Sequence, residues 1–311
     1  MDNLTHSLVG ALLGQCGFKR TTALAMPTLI IAANIPDIDA ACLFWLQGPQ
    51  SLAFRRGITH GPVAMLILPV LLWTAMLGWD RLRRGSNPNR PAVHKGWLLA
   101  LAYIGTISHP AMDWLNNYGI RLLEPFSSQW FHGDSIFIID IWLWLGLGGA
   151  VWSSLRRERS GNPHWRRVAV TAVLVASAYI FANGAITGMA EHRVAAALRE
   201  AGVERPLVVA SPPPLAFWRR DVFWRDADRY GETYFTPFAE TGLGLQGRLH
   251  NAADPRVAAI AATNADVRAF LFWSRMPVAE FSVDGTLTLT DQRYRQPLAV
   301  DRFKTVAKLG E

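Results

Sequence analysis

The chain has little cysteine and little charge for its length. Only Cys16 and Cys42 occur in 311 residues, and charged residues make up 18% of the chain, against roughly 25% in an average soluble domain. Both cysteines lie in apolar stretches without a CxxC spacing, which argues against a disulfide framework and against a cysteine-rich zinc site. Because the deficit in charge lies mainly before residue 190, it indicates that this part of the chain faces lipid.

Several other signatures are also absent. The sequence has no G-x-S-x-G, H-E-x-x-H, P-loop or dinucleotide motif. Asp2 stands where a secretory signal would have a basic region, so we expect the N-terminal stretch to remain on the protein. The net charge of +7 comes from short basic clusters between apolar runs. This pattern is typical of cytoplasmic loops, and we therefore expect no nucleic-acid partner.

Four apolar runs predict membrane helices, because about 20 apolar residues cross the hydrocarbon core. They cover residues 62–79, 97–112, 136–155 and 168–190. Two shorter segments, residues 4–17 and 22–35, precede them and could tilt, re-enter or pack behind the longer helices. If each run crosses once, the basic clusters at residues 19–20, 81–95 and 156–167 share one side, which the positive-inside rule makes cytoplasmic. We predict a multi-pass protein of the cell inner membrane, with bilayer lipid as its partner.

The composition changes after residue 190. Three prolines at 212–214 are followed by period-2 alternation, and the central Asp284-Gly285 of residues 281–289 predicts a hairpin. Residues 256–272 predict one amphipathic helix. The predicted fold class is mainly α: a helical membrane domain over residues 1–190, and a small soluble α+β domain over residues 191–311. The topology places this second domain on the periplasmic or extracellular side.

Histidines and aspartates recur in four short motifs, and the predicted topology brings all four to the non-cytoplasmic face. The motifs are Asp2-x-x-Thr5-His6, Asn34-x-Pro36-Asp37-x-Asp39, Arg56-Gly57-x-Thr59-His60 and His109-Pro110-x-x-Asp113. Imidazole and carboxylate suit zinc, manganese or iron. The predicted metal ligands are His6, Asp37, Asp39, His60, His109 and Asp113. They would serve two ions, or one ion with outer carboxylates.

Each motif also has a simpler interpretation. His6 could belong to a helix cap, Asp37 and Asp39 to a solvated turn, and His60 to a loop-to-helix junction. His109 and Asp113 are harder to explain in this way, because ionisable groups at membrane depth are costly and usually functional.

Four further residues are candidates for catalysis. Asp134 and Asp140 flank the third long helix and could act as a ligand or general base, although Asp134 could simply cap that helix. Arg56 could bind an anionic substrate or a lipid headgroup. Asn34 belongs to the same motif as the two aspartates.

The order of these motifs resembles the YdjM-like family of inner-membrane proteins, which are described as metal-dependent hydrolases. The resemblance covers about residues 1–155 and includes Asn116, Tyr118 and Gly119 after the last motif. One departure is Gly61, where the family pattern implies serine. A threonine-histidine pair near the N-terminus followed by Pro-Asp is also distantly similar to zinc-dependent phospholipase C proteins. These resemblances imply zinc and a lipid or phosphate-ester substrate.

The leading hypothesis is an integral-membrane hydrolase in which metal-activated water attacks an amphiphilic substrate. An amide or peptide bond is the second substrate class. A non-catalytic membrane adaptor with a structural polar cluster is the alternative from another functional class. A transporter is the third, although clustering of the motifs at one face rather than at the midplane argues against it.

Overall fold

The computed structural model describes residues 1–86, 91–238, 247–295 and 300–308. Contacts divide the chain into two compact units. The first consists of Met1–Asp39 and Arg56–Gly184, and the second of Ala40–Arg55 and Ala185–Glu311. The predicted domain division at residue 190 stays a prediction. Residues 87–90, within the second basic cluster, lie outside the described residues.

Six of the first seven helices of the described chain correspond to the predicted apolar segments, and the third was not predicted. The seven are α1 (Asn3–Gln15), α2 (Ala25–Ala32), α3 (Gly48–Phe54), α4 (Pro62–Ser86), α5 (Lys95–Trp114), α6 (Ile141–Arg159) and α7 (Trp165–Glu200). Helix α6 begins later than its apolar run because Asp140 is its N-cap and accepts a hydrogen bond from the Leu143 amide at 2.9 Å. Helix α3 belongs to the second unit, and α7 contributes to both units.

Within the first unit, α2 packs against both α1 and α5, while α6 packs on α1 and α4 packs on α5. Leu29 of α2 and Leu101 of α5 are fully buried in one apolar cluster. Gly105 permits the close approach of these two helices, because a Cβ at this position would lie 2.5 Å from the Cβ of Ala32. The C-terminal end of α2 is therefore held against the part of α5 that carries His109.

Two helices of the described chain are long and apolar enough to cross a membrane: Pro62–Arg83 within α4, and α7. A third span is allowed if Ala25–Ala32 and the following 3₁₀ segment Ile35–Phe44, bent by 50°, form one crossing. Helices α5 and α6 form as predicted but are not among these spans. The structure thus supports a mainly helical protein with apolar helices, and the multi-pass arrangement stays a prediction.

Besides α3 and the end of α7, the described residues of the second unit form two antiparallel sheets and two α-helices. In chain order the elements are β1 (Leu207–Ser211), β2 (Arg220–Arg225), β3 (Arg229–Phe235), β4 (Arg248–Leu249), α8 (Pro255–Thr263), α9 (Ala265–Trp273), β5 (Pro277–Phe281), β6 (Leu287–Asp291) and β7 (Lys304–Ala307). The sheet orders are β1-β2-β3-β4 and β5-β6-β7. The predicted hairpin joins β5 to β6, with Gly285 at φ +80° in its turn.

The prediction of one amphipathic helix over residues 256–272 is wrong at Asn264. The structure has two helices there, α8 and α9. The Asn264 side chain accepts hydrogen bonds from the amides of Asp266 at 3.0 Å and Val267 at 3.1 Å, and so caps α9. An asparagine favours a helix cap over a helix interior because its side chain competes for backbone groups.

Candidate metal centre

Helix α5 supplies two of the polar side chains at the centre of the first unit. The helix continues through Pro110 to Trp114, so His109 and Asp113 lie one turn apart. The Nε2 atom of His109 is 3.5 Å from Oδ2 of Asp113. The other ring nitrogen, Nδ1, donates to the carbonyl oxygen of Ala33 at 2.7 Å, since a carbonyl oxygen can only accept. The end of α2 therefore orients the His109 ring and leaves its Nε2 lone pair facing Asp113.

His60 ends a short 3₁₀ helix, Ile58–His60, and its orientation follows from one hydroxyl group. Thr59 Oγ1 donates its single proton to Oδ2 of Asp39 at 3.1 Å. The same oxygen lies 2.9 Å from Nδ1 of His60, and because its proton is already used, it accepts a hydrogen bond from the N–H group at Nδ1. His60 therefore also presents the lone pair of Nε2.

Asp37 and Asp39 have different surroundings because they lie on a 3₁₀ segment, where residues two apart point in different directions. Oδ1 of Asp37 is 3.9 Å from Nε2 of His60 and 3.8 Å from Nε2 of His109. Asp39 instead accepts from the amide of Arg56 at 2.7 Å and from Thr59, and its Oδ2 is 3.5 Å from Nδ1 of His60. Asp37 thus faces the Nε2 atoms, and Asp39 supports the opposite side of the His60 ring.

Four buried residues, Asp37, His60, His109 and Asp113, could together hold a metal ion, since one ligand atom from each lies within 4.8 Å of all the others. The two Nε2 atoms are only 3.2 Å apart. Two lone pairs at this distance repel each other unless a proton or a cation lies between them. Ligands around a tetrahedral zinc, at roughly 2.0–2.1 Å from the ion, stand roughly 3.4 Å from one another. The spacing and donor types of this cluster therefore fit a divalent metal.

His6 lies beside this cluster but is not one of its four residues. Its ring stacks on His109 with 3.7 Å between the ring centroids, and its Nε2 is 3.3 Å from Oδ1 of Asp113. The preceding motif residues cap the helix: Asp2 accepts from the amides of Leu4 and Thr5 at 3.0 and 3.1 Å. The sequence interpretation of a helix cap therefore applies to Asp2, while His6 is buried against the ring of His109.

Arg56 is buried and lies against the same aspartate. Its Nε is 3.0 Å from Oδ2 of Asp113, and its Nη1 donates to Oδ1 of Asn116 at 3.0 Å. Tyr118 lies below the guanidinium at 4.7 Å from its ring centroid. The amino group of Met1 also contacts Asp113. These positive groups offset the charge of a carboxylate that has no access to solvent.

The other predicted catalytic residues lie in separate surroundings. Asn34 donates to Ser7 Oγ at 3.1 Å and to the Ile30 carbonyl at 2.8 Å. Asp140 caps α6 and accepts a hydrogen bond from the Tyr179 hydroxyl at 3.0 Å. Asp134 is buried with φ +46° and is not part of the four-residue cluster. Their predicted roles in catalysis stay predictions.

The surroundings of Gly61 explain why this chain has glycine where the family pattern implies serine. A Cβ at this position would collide with the backbone carbonyl of Glu124. A serine therefore does not fit after Thr59-His60 in this chain.

The sequence did not predict that Thr59 and the Ala33 carbonyl orient the two histidine rings. A backbone carbonyl cannot be recognised from the type of its residue. Thr59, in contrast, belongs to the Thr59-His60 motif, and this neighbourhood was the signal for its contact with the histidine.

An open and mainly apolar groove of about 450 Å³ leads along the end of α2 to one residue of the cluster. Four isoleucines, at positions 30, 31, 35 and 38, line it together with Asn3, Asn34 and Asp37. Ile31 and Ile38 are exposed. Asp37, whose carboxylate faces both Nε2 atoms, is therefore one of the residues that border this apolar groove.

Comparison with known proteins identifies a family for the first part of the chain. Residues 1–190, more than half of the chain, match the family described as YdjM inner membrane protein. Comparisons with curated proteins and with solved structures find no match.

Proposed function

The chain belongs to the YdjM inner membrane protein family, and from this premise we propose that its helical unit is a metal-dependent hydrolase. One observation carries the proposal: four buried side chains place two imidazole nitrogens and two carboxylates within 4.8 Å of one another. Burying such a set is costly, and ionisable groups within membrane proteins usually serve function. A cation between the two Nε2 atoms removes the repulsion of their lone pairs.

In this proposal Asp37, His60, His109 and Asp113 hold one divalent ion, zinc first and manganese or iron as alternatives. When bound, such an ion would act as a Lewis acid that polarises the scissile group and lowers the pKa of a bound water molecule. The Ala33 carbonyl and Thr59 keep both imidazole rings in the tautomer that exposes Nε2. A second ion would require further ligands, for which His6 is the nearest imidazole.

Arg56 and Asp39 act as positioning residues in this proposal. Arg56 holds Asp113 through its Nε, and its burial makes this role simpler than direct contact with a substrate anion. Asp39 fixes the loop through the Arg56 amide and orients His60 through Thr59. Carboxylates placed behind ligating histidines raise the basicity of the ring and fix its orientation.

We assign the substrate to the amphiphilic lipids or phosphate esters because of the groove beside Asp37. Its isoleucines suit an acyl chain, while Asn34 and Asp37 lie where a polar head would meet the cluster. The site is proposed to face the periplasm or cell exterior, with the C-terminal unit on the same side. Cysteine labelling of intact cells at residues 164 and 284 tests this topology, since the proposal makes only residue 284 accessible.

The function is tested by measuring metal content and lipid hydrolysis on the same preparations. We expect purified protein to carry a transition metal and to hydrolyse phospholipid or lipid-linked phosphate, and His60→Ala and His109→Ala to lose both properties. His164→Ala is the matched control, because this exposed histidine lies outside the cluster. A metal-free protein that keeps its cellular role after replacement of Asp37 and His60 would favour the adaptor hypothesis.

A further inference from the structure

A groove of about 330 Å³ lies between α6 and α7 in the first unit, and none of the four residues of the metal cluster lines it. Helix α6 lines it over residues 142–150 and α7 over residues 168–179, in each case at positions one helical turn apart. Two hydrogen bonds join the helices at opposite ends of the groove. The Tyr179 hydroxyl donates to Asp140 at 3.0 Å, and the Ser154 hydroxyl donates to the Trp165 carbonyl at 2.9 Å. These bonds hold the two helices in place on either side of the groove.

The groove opens outward, and its walls are mainly apolar. Trp142 and Val175 are 43% and 62% exposed, and a Cβ at Gly146 would have open space. Helix α7 is one of the two described helices that are long and apolar enough to cross a membrane. In an inner membrane protein, an apolar groove along such a helix is open to the acyl chains of the surrounding lipid.

The length of the groove corresponds to one leaflet of a bilayer. At 1.5 Å per helical residue, residues 142–150 extend about 12 Å and residues 168–179 about 16 Å. Half of a hydrocarbon core that is about 30 Å thick measures about 15 Å. The groove therefore matches a single acyl chain of one leaflet, whereas a partner helix that crosses the membrane would use a surface about twice as long.

Two arginines continue the groove-lining faces of the helices at one end of the groove. Arg157 lies two helical turns after Ala150 of α6. Arg167 lies one turn before Thr171 of α7. Both side chains are exposed, and neither pairs with a carboxylate in the part of the chain that the structure describes. The groove therefore ends at two exposed positive charges.

The positive charge at this end is not balanced by acidic residues of the protein. Glu158 is the only acidic residue between positions 141 and 190, and it pairs with Lys19 and Arg20. Five arginines of α6 and α7, at positions 156, 157, 159, 166 and 167, are exposed around it. Basic clusters beside membrane helices attract anionic lipids, and basic pockets between such helices bind their headgroups.

We propose that the groove binds one anionic phospholipid, whose acyl chain lies between α6 and α7 and whose phosphate lies between Arg157 and Arg167. A guanidinium group stays charged and donates several N–H groups in a geometry that suits phosphate oxygens. The combination of an apolar groove and a basic end favours a lipid over a soluble anion, which would leave the groove empty. This lipid is bound without being hydrolysed, because the residues of the metal cluster do not line the groove.

The test is native mass spectrometry of the full-length protein in a detergent without charge. Dioleoyl phosphatidylglycerol and dioleoyl phosphatidylcholine are the probes, because they share acyl chains and differ in net charge. We expect one tightly bound phosphatidylglycerol per chain. Joint replacement Arg157→Gln and Arg167→Gln should weaken it about 30-fold, equivalent to about 2 kcal/mol, because each arginine beside an anionic lipid contributes about half of this. Arg81→Gln with Arg83→Gln is the matched control, since it removes two exposed arginines from α4 and should change nothing.

A second pair of variants tests the groove itself. A Cβ has open space at both Gly146 and Gly149 of α6, but only Gly146 lines the groove. Gly146→Leu should therefore weaken phosphatidylglycerol binding at least about tenfold, whereas Gly149→Leu should leave it unchanged.

The proposal is overturned if phosphatidylcholine binds as tightly as phosphatidylglycerol, or if the arginine and Gly146→Leu variants bind like the native protein. Equally tight binding of glycerol phosphate would also overturn it, because the arginines would then hold an anion without the groove. A native dimer that Gly146→Leu converts to monomers would identify a second copy of the chain as the occupant instead. The readout is the mass of intact bound lipid, so a negative result here leaves the proposed hydrolase untouched.

Discussion

Replacing Asp39 by asparagine separates a residue that positions a ligand from a residue that binds metal directly. Oδ2 of Asp39 accepts from the Arg56 amide at 2.7 Å and from Thr59 at 3.1 Å, and an amide oxygen can accept both of these hydrogen bonds. Asp39→Asn can therefore keep these two hydrogen bonds while it removes the negative charge behind His60. Asp37→Asn, in contrast, removes the charge of a residue whose Oδ1 faces both Nε2 atoms.

The expected size of the effect follows from these positions. Loss of a partner behind a ligating histidine typically weakens metal binding roughly 10–100-fold, equivalent to about 1.4–2.8 kcal/mol. We predict a decrease of this size for Asp39→Asn, with about one metal ion still bound per chain at saturation. Asp37→Asn should weaken binding further, because it alters one of the four ligands themselves.

The measurement is competition for zinc between the detergent-solubilised protein and a chromophoric chelator of known affinity. Asp301→Asn serves as the control for loss of one carboxylate, since Asp301 is exposed in the second unit. If Asp39→Asn abolished binding as completely as Asp37→Asn, Asp39 would be a direct ligand. If it changed nothing, the orienting role of Asp39 would be refuted.

Three further predictions concern stability. Gly61→Ser should destabilise the helical unit by roughly 1–3 kcal/mol, because its side chain would collide with the backbone of Glu124. Gly149→Ala should not, because a Cβ there has open space. Thermal unfolding in detergent compares the two variants, and equal melting temperatures would contradict the steric argument. Asp291→Asn should cost roughly 3–5 kcal/mol, because it leaves Arg293 buried without its partner. Although burial opposes ionisation, Arg293 and neighbouring donors hold the pKa of Asp291 below its ordinary value. The ionised Asp291 therefore stabilises the fold above the ordinary pKa of aspartate, and this contribution is lost as the pH falls through the lowered pKa. If the unfolding midpoints of Asp291→Asn and of the native protein changed in parallel across this acidic range, the stabilising role of Asp291 would be refuted. Chelation of metal should lower the melting temperature, and restored zinc at 100 times its dissociation constant should recover roughly 2.7 kcal/mol; a melting temperature insensitive to chelator would count against a bound ion.

The sequence predicted the helices of the first unit well because their apolar runs are long and continuous. Residues 62–79 and 168–190 became parts of α4 and α7, and the Asp284-Gly285 pair became the turn between β5 and β6. Boundaries were harder to predict. The single helix predicted over residues 256–272 ignored the capping preference of Asn264, whose side chain outweighed an otherwise helical pattern.

The sequence also identified the residues of the cluster, but it could not rank them. His109 and Asp113 were four apart, so a helix predicted their shared face. The spacing of Asp37 and Asp39 predicts that they diverge on a regular helix, but which of the two faces the Nε2 atoms depends on how the 3₁₀ segment is placed, and periodicity does not reveal this. Which nitrogen of each histidine is exposed depends on the Ala33 carbonyl and the Thr59 hydroxyl, and these contacts exist only after the chain has folded.

We propose that two imidazoles and two carboxylates hold one divalent metal ion in this protein. X-ray absorption at the metal edge tests it most directly on protein purified without added metal. We expect a single ion with two nitrogen ligands at roughly 2.0–2.1 Å, oxygen ligands and no sulfur, and one imidazole fewer around any metal that His109→Ala retains. Protein with no bound metal, or a metal whose imidazole signal is unchanged in His109→Ala, would contradict it.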